Sequence, residues 1–146
     1  MTRGRMIEIT NRQRRLKLDR TAIEELARKT LAIEKTEGSV SIVYAGSRLM
    51  AKLNRQYFGK SGPTDVIAFP LRDEIHEDTG YLGEVVVCSD AAADVAAERG
   101  VDTEDELYLY TVHGILHLLS YTDETPAKRT RMNNRARGIV EAFYRS

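Results

Sequence analysis

The period of the apolar positions changes repeatedly along the chain, and each change marks an element. Met6-Ile-Glu-Ile-Thr10 alternates apolar and polar residues, as a short strand with one buried face does. Arg12 to Lys17 forms a basic connection. From about Arg20 to Thr36 the apolar residues Ile23, Leu26, Ala27, Leu31 and Ala32 recur at helical spacing, with the capping-box pattern Thr21-Ala-Ile-Glu24 at the start and Gly38 at the end. Val40 to Tyr44 reads as a second strand. Ser47 opens a second helix, with Leu49, Met50, Leu53 and Tyr57 along one side and Gly59 at its close. Lys60-Ser-Gly-Pro63 is a loop, and Thr64 to Pro70 is a third strand. Pro70 places that strand at an edge or marks its end, because proline cannot donate to a ladder.

The acidic stretch Arg72 to Gly80 has the composition of an exposed loop, which makes His76 a surface residue. Leu82 to Cys88 is the most apolar run and is expected at the centre of the sheet. Ser89 or Asp90 caps an alanine-rich helix that runs to Arg99 and closes at Gly100. A second capping box, Thr103-Glu-Asp-Glu106, opens a helix that is apolar almost all round, through Leu107, Tyr110, Val112, Ile115, Leu116, Leu118 and Leu119. Such a helix is buried. Thr125-Pro126 starts the last helix, which reaches about Tyr144. Four strands interleaved with about five helices predict an α+β sandwich built on a single four-stranded sheet. With 146 residues the chain is read as one domain spanning residues 1–146.

Composition narrows the class. A hydrophobic content of 42% against 30% charged residues excludes a disordered chain. The formal net charge of zero conceals an uneven distribution. Residues 1–20 hold seven Arg or Lys against Glu8 and Asp19, and residues 128–146 hold six against Glu141. Between residues 73 and 106 twelve acids face Arg99 alone. Basic ends of this kind can gather a polyanion, and they are equally the pattern of a solvated surface. The single Cys88 leaves no intramolecular disulfide and packs as a small hydrophobe. No stretch has the length of a signal peptide or a membrane span, so the expected compartment is the cytoplasm.

The candidate chemistry lies in the buried helix, in His113-Gly-Ile-Leu-His117-Leu-Leu-Ser-Tyr-Thr-Asp123. Two imidazoles four residues apart project from one helical face one turn apart and can reach a single metal ion. A carboxylate at Asp123 can return to that ion if the helix ends near Ser120-Tyr121. Three ligands with an open position form the pattern of a catalytic zinc site, whereas a structural site wants four. The spacing alone is shared by core and capping residues, so both readings stand at this point. Burial weighs on the choice: an imidazole inside an apolar helix needs a partner for each nitrogen, and a metal on one meets part of that need. Gly114, beside His113, costs a helix interior about 1 kcal/mol relative to Ala and therefore points to a close approach by another element or a ligand.

Several separated motifs occur in the order and spacing of one family. They are Leu53-Asn-Arg-Gln-Tyr57, Gly59-Lys60, Pro63-Thr-Asp-Val66, Phe69-Pro70, Leu82-Gly83 and His113-Gly-x-Leu-His117-Leu-Leu-x-Tyr121. From about residue 40 onward the chain resembles the YbeY family of bacterial rRNA maturation factors. The resemblance implies a zinc-dependent, single-strand-specific endoribonuclease acting in ribosome assembly. It also implies one Zn²⁺ ion, single-stranded RNA, in particular rRNA, as substrate, and a ribosomal subunit or assembly factors as partners.

Two positions depart from the family pattern. Asp123 stands where a third histidine ligand is expected; a carboxylate is an acceptable zinc ligand, but it lowers the charge of the assembly by one, which weakens its hold on phosphate. Phe58 stands where the family has an arginine thought to meet the phosphate, leaving Lys60 and Arg55 as the nearest substitutes by sequence. Phe58 either stacks on a base or is buried as core. The expected site is thus zinc on His113, His117 and Asp123. A basic groove of Arg12, Arg14, Arg15, Lys60 and the Arg129 to Arg137 helix would hold the RNA backbone. No general base is assigned, and Glu124 is expected to favour the start of the last helix. A metalloprotease would place Glu directly after the first His, where this chain has Gly114. A non-catalytic RNA-binding or ribosome-assembly factor, and a plain α+β domain with a satisfied histidine pair, are the remaining alternatives.

Overall fold

A computed structural model describes residues 6–71 and 80–146; the acidic stretch expected as a loop, with His76, falls largely outside them. The elements run β1 (Ile7–Arg12), α1 (Arg20–Ile33), β2 (Ser39–Ala45), α2 (Ser47–Phe58), β3 (Val66–Pro70), β4 (Tyr81–Cys88), α3 (Ser89–Arg99), α4 (Thr103–Leu118) and α5 (Pro126–Arg145). The fold is α+β, with one four-stranded sheet in the order β1-β2-β4-β3. β1, β2 and β4 are parallel, while β3 runs antiparallel to β4 at the edge, where Pro70 does no harm to a ladder. No helix among the described residues is long and apolar enough to cross a membrane.

β4 lies inside because both of its faces are apolar. Val85 and Val87 join Val40, Ile42 and Tyr44 in the larger core, under α1, α4 and α5. Val86 and Cys88 join Ala45, Ile67 and Met50 in a smaller core under α2. A strand covered on both sides needs apolar residues at every position, hence the uninterrupted Val-Val-Val-Cys.

The N-cap of α3 is Cys88, not Ser89 or Asp90, which are its first helical residues, and that of α4 is Asp102, so Thr103 does not cap. Three further differences from the expected boundaries have local reasons. α1 ends at Ile33 and not at Thr36, because Lys35 turns into the left-handed region at φ 53° and the Thr36 amide bonds back to the Leu31 carbonyl at 2.9 Å. Its N-cap is Asp19, whose carboxylate accepts from the Ala22 amide at 3.1 Å, so Thr21 does not cap. β3 begins at Val66 because the Asp65 side chain takes the Val66 amide at 2.8 Å.

Two contacts fix how α4 sits on the sheet. Tyr44, fully buried in β2, donates to Thr111 Oγ1 at 2.8 Å, and Thr111 in turn donates to the Leu107 carbonyl at 2.8 Å. Two turns of α4 are thereby tied to the sheet. Gly114 then lies flat against β4: a Cβ there would fall inside the Val85 side chain and 2.9 Å from Val66 Cγ2. The close approach anticipated from this glycine is made by another element, the β3–β4 pair.

Candidate metal centre and cleft

Helical periodicity puts Glu106, Tyr110, His113 and His117 along one face of α4. All four line a cleft of about 490 Å³, together with Thr64, Asp65 and Val66 before and in β3, Arg99 of α3, Asp123 of the following turn, and Arg129, Asn133 and Arg137 of α5. The apolar parts of its wall are Val66, Val95 and Leu109.

The two imidazole rings stand 5.4 Å apart between centroids and are nearly parallel, at 11°. His113 Nε2 is buried and has no hydrogen-bond partner among the described residues. An orphaned buried nitrogen costs free energy unless something fills it. Burial, and after it the charge of neighbouring His117, hold the His113 imidazole below its ordinary pKa, against an opposing pull from Asp65 and Asp123. The ring is therefore neutral at neutral pH and can offer a lone pair. Two imidazoles side by side, one with an unsatisfied buried nitrogen, fit the donor chemistry of a transition-metal ion.

Asp123 lines this cleft, on an exposed turn that Arg129 reaches through the Asp123 carbonyl at 3.5 Å. Among the described residues no three His, Cys, Asp or Glu side chains are already gathered as a ready ligand set. The structure thus pairs the histidines and leaves the carboxylate nearby. Ser120, where the chain turns toward Asp123, adopts φ 81°.

The basic residues divide differently from their order in sequence. Arg129 and Arg137 line the cleft. Arg15 is instead engaged by Asp90 at 3.2 Å and Asp94 at 2.9 Å, at the start of α3. Arg55 borders an outward groove on α2 with Arg48 and Lys52, and neither it nor Lys60 is among the residues lining the histidine cleft. Phe58 is 50% exposed and stacks on Phe69 at 6.4 Å, which corrects the buried-core alternative for it. Glu124 stands 3.9 Å from Lys128 on the surface, one turn away along the chain.

Asp65 and Arg99 are charged cleft residues that the sequence left without any role. Asp65 lies in the Pro63-Thr-Asp-Val66 motif, which offered a signal without a role. Arg99 offered none, being one helix-terminal arginine among many acids.

The family described as Endoribonuclease YbeY matches this chain over residues 8–144. Among similar proteins, the Endoribonuclease YbeY of Carboxydothermus hydrogenoformans is 38% identical over 94% of this chain and 97% of its own length. That of Clavibacter michiganensis is 35% identical over 96% of each. A solution structure of a Thermotoga maritima protein superimposes with a TM-score of 0.57 and 28% identity, covering 94% of this chain and 93% of that one. With the match running through both the sheet and the histidine helix, the chain belongs to the YbeY endoribonuclease family.

Proposed function

We propose that the chain is a zinc-dependent endoribonuclease that cuts single-stranded RNA, with His113, His117 and Asp123 as the ligands of one ion. The observation that carries the reading is the buried, unpartnered Nε2 of His113, one turn from His117 in a cleft that also holds Asp123. Bound there, zinc supplies Lewis acidity to a phosphoryl oxygen and a more acidic water.

The remaining work falls to the chain. The α4 face holds both imidazoles at fixed spacing, and Arg129 steadies the turn that brings Asp123. The arginines of α5 lie along the RNA backbone, a sequence-independent interaction suited to single strands. Leu109, Val66 and Val95 make part of the wall apolar, which strengthens every charge interaction inside. This reading extends to rRNA maturation, ribosomal partners and a cytoplasmic setting.

The test compares RNA cleavage and zinc content in the wild-type protein and in His117→Ala. Loss of both supports the assignment; equal cleavage by the two proteins ends it. A second reading, RNA binding without catalysis, is favoured by one observation: exposed Phe58 occupies the family's arginine position. Wild-type protein that binds zinc and RNA but cuts neither single-stranded nor duplex RNA would establish it.

A further inference from the structure

We propose that Arg99 is a phosphate-binding residue of the cleft and that Glu106 is the residue positioning it. This rests on the RNA-binding reading above and names a contact within that site.

Arg99 is the last residue of α3, and Gly100 turns the chain away immediately after it. Its Nη1 donates to Glu106 Oε1 at 3.1 Å, with the Arg99 side chain 55% exposed and that of Glu106 only 7%. Glu106 is on the same α4 face as the histidines and lines the same cleft. The carboxylate therefore sits behind the guanidinium, and this single hydrogen bond occupies one of five N–H donors. The other N–H donors of Arg99 have no partner among the described residues, and Arg99 lines the cleft. A planar fork held from behind by a carboxylate suits bidentate recognition of a phosphodiester.

An ion pair of this kind is weak evidence for a purely stabilising role. Withdrawing a carboxylate from water to meet a half-exposed arginine gains little over an apolar pair of similar volume. The sequence also lacks an arginine at position 58, and Arg55 and Lys60 lie off the cleft. Arg99 approaches from α3 and Arg129 and Arg137 from α5, two helices that both pack on α4. The positive charge that the family carries at the end of α2 is here supplied by α3 and α5.

The test measures binding of a short, single-stranded 2′-O-methyl RNA to the full-length chain in zinc-containing buffer, over a range of salt. Arg99→Ala is expected to weaken binding about tenfold, the size of one charge-assisted hydrogen bond, and to reduce the slope of log K against log salt by roughly 0.7. Arg99→Gln, which removes the charge but keeps a donor for Glu106, should lose the same slope and guards against an unstable Ala variant. Glu106→Gln should weaken binding while leaving the slope intact, since the cation remains but is no longer held. Unchanged affinity and slope in both Arg99 variants would overturn the proposal and make Arg99 a structural counter-ion. Wild type that binds no RNA would overturn it together with the endonuclease reading. Arg99-dependent binding, with no cleavage of unmodified single-stranded RNA by the same wild-type protein, would sustain it and remove only the catalytic reading.

Discussion

The Tyr121 hydroxyl donates a 2.8 Å hydrogen bond to the Glu34 carboxylate, joining the turn after the histidine helix to the end of α1. Arg135 of α5 closes on the same carboxylate at 2.6 Å. One acid thus ties three segments together and fixes the turn from which Asp123 emerges. Tyr121→Phe should lower stability by about 1 kcal/mol, the usual net worth of such a bond. It should also weaken zinc binding without touching a ligand. Chemical denaturation and zinc titration of the same variant check the two halves.

Asp123 and Asp65 both act on His113, and only substitution separates their parts. Asp123→Ala should weaken zinc binding by more than roughly a hundredfold, beyond the ten- to hundredfold that loss of a supporting residue costs. Asp65→Ala should weaken it less, because one Asp65 oxygen is already given to the Val66 amide. Zinc titration with a competing chelator gives the ranking, and the reverse order would make Asp65 the third ligand.

The charged residues of the cleft balance, with Arg99, Arg129 and Arg137 against Asp65, Glu106 and Asp123, three of each sign. Under the proposed function, the excess positive charge is that of the proposed zinc ion. Removing metal with a chelator should weaken RNA binding and flatten its salt dependence, as measured by fluorescence anisotropy.

Asp90 accepts from the Ser47 amide at 2.7 Å and from Arg15 at 3.2 Å. The Ser47 amide above all holds its carboxyl below the usual range. A depressed folded pKa contributes stability that is present above the unfolded value and is lost as pH falls through the folded one. The melting temperature of the wild type should therefore fall more steeply with acid than that of Asp90→Asn. Parallel slopes would show that this carboxylate is not linked to folding.

Gly114→Ala should destabilise the chain although alanine favours helices, because the new methyl meets Val85. The expected loss is about 1–3 kcal/mol, as for other overpacked cores. Combining it with Val85→Ala should recover part of the loss, as urea denaturation would reveal.

Apolar periodicity located the nine elements of the described residues, because strands buried on two faces and helices buried on one leave different spacings. It also predicted the edge position of β3 from Pro70 and the close approach at Gly114. The grouping of charges was less legible. Arg15 and Lys60 looked like parts of one basic groove with α5, yet Arg15 is taken up by α3 and Lys60 lies outside the cleft. Arg99, isolated among acids in sequence, comes to the histidines only because α3 packs beside α4. Such neighbours depend on chain crossing, which spacing along the sequence does not record.

β1, β2 and β4 are parallel, so each is joined to the next through an intervening excursion of the chain. No short fragment contains both walls of the cleft: Asp65, Arg99, His113 and Arg137 meet only after these long closures are made. The pocket therefore depends on the closed fold, with walls drawn from widely separated stretches of the chain. Any ligand that binds there only in the folded state would draw the folding equilibrium toward the native chain, so its loss would lower the population of folded protein.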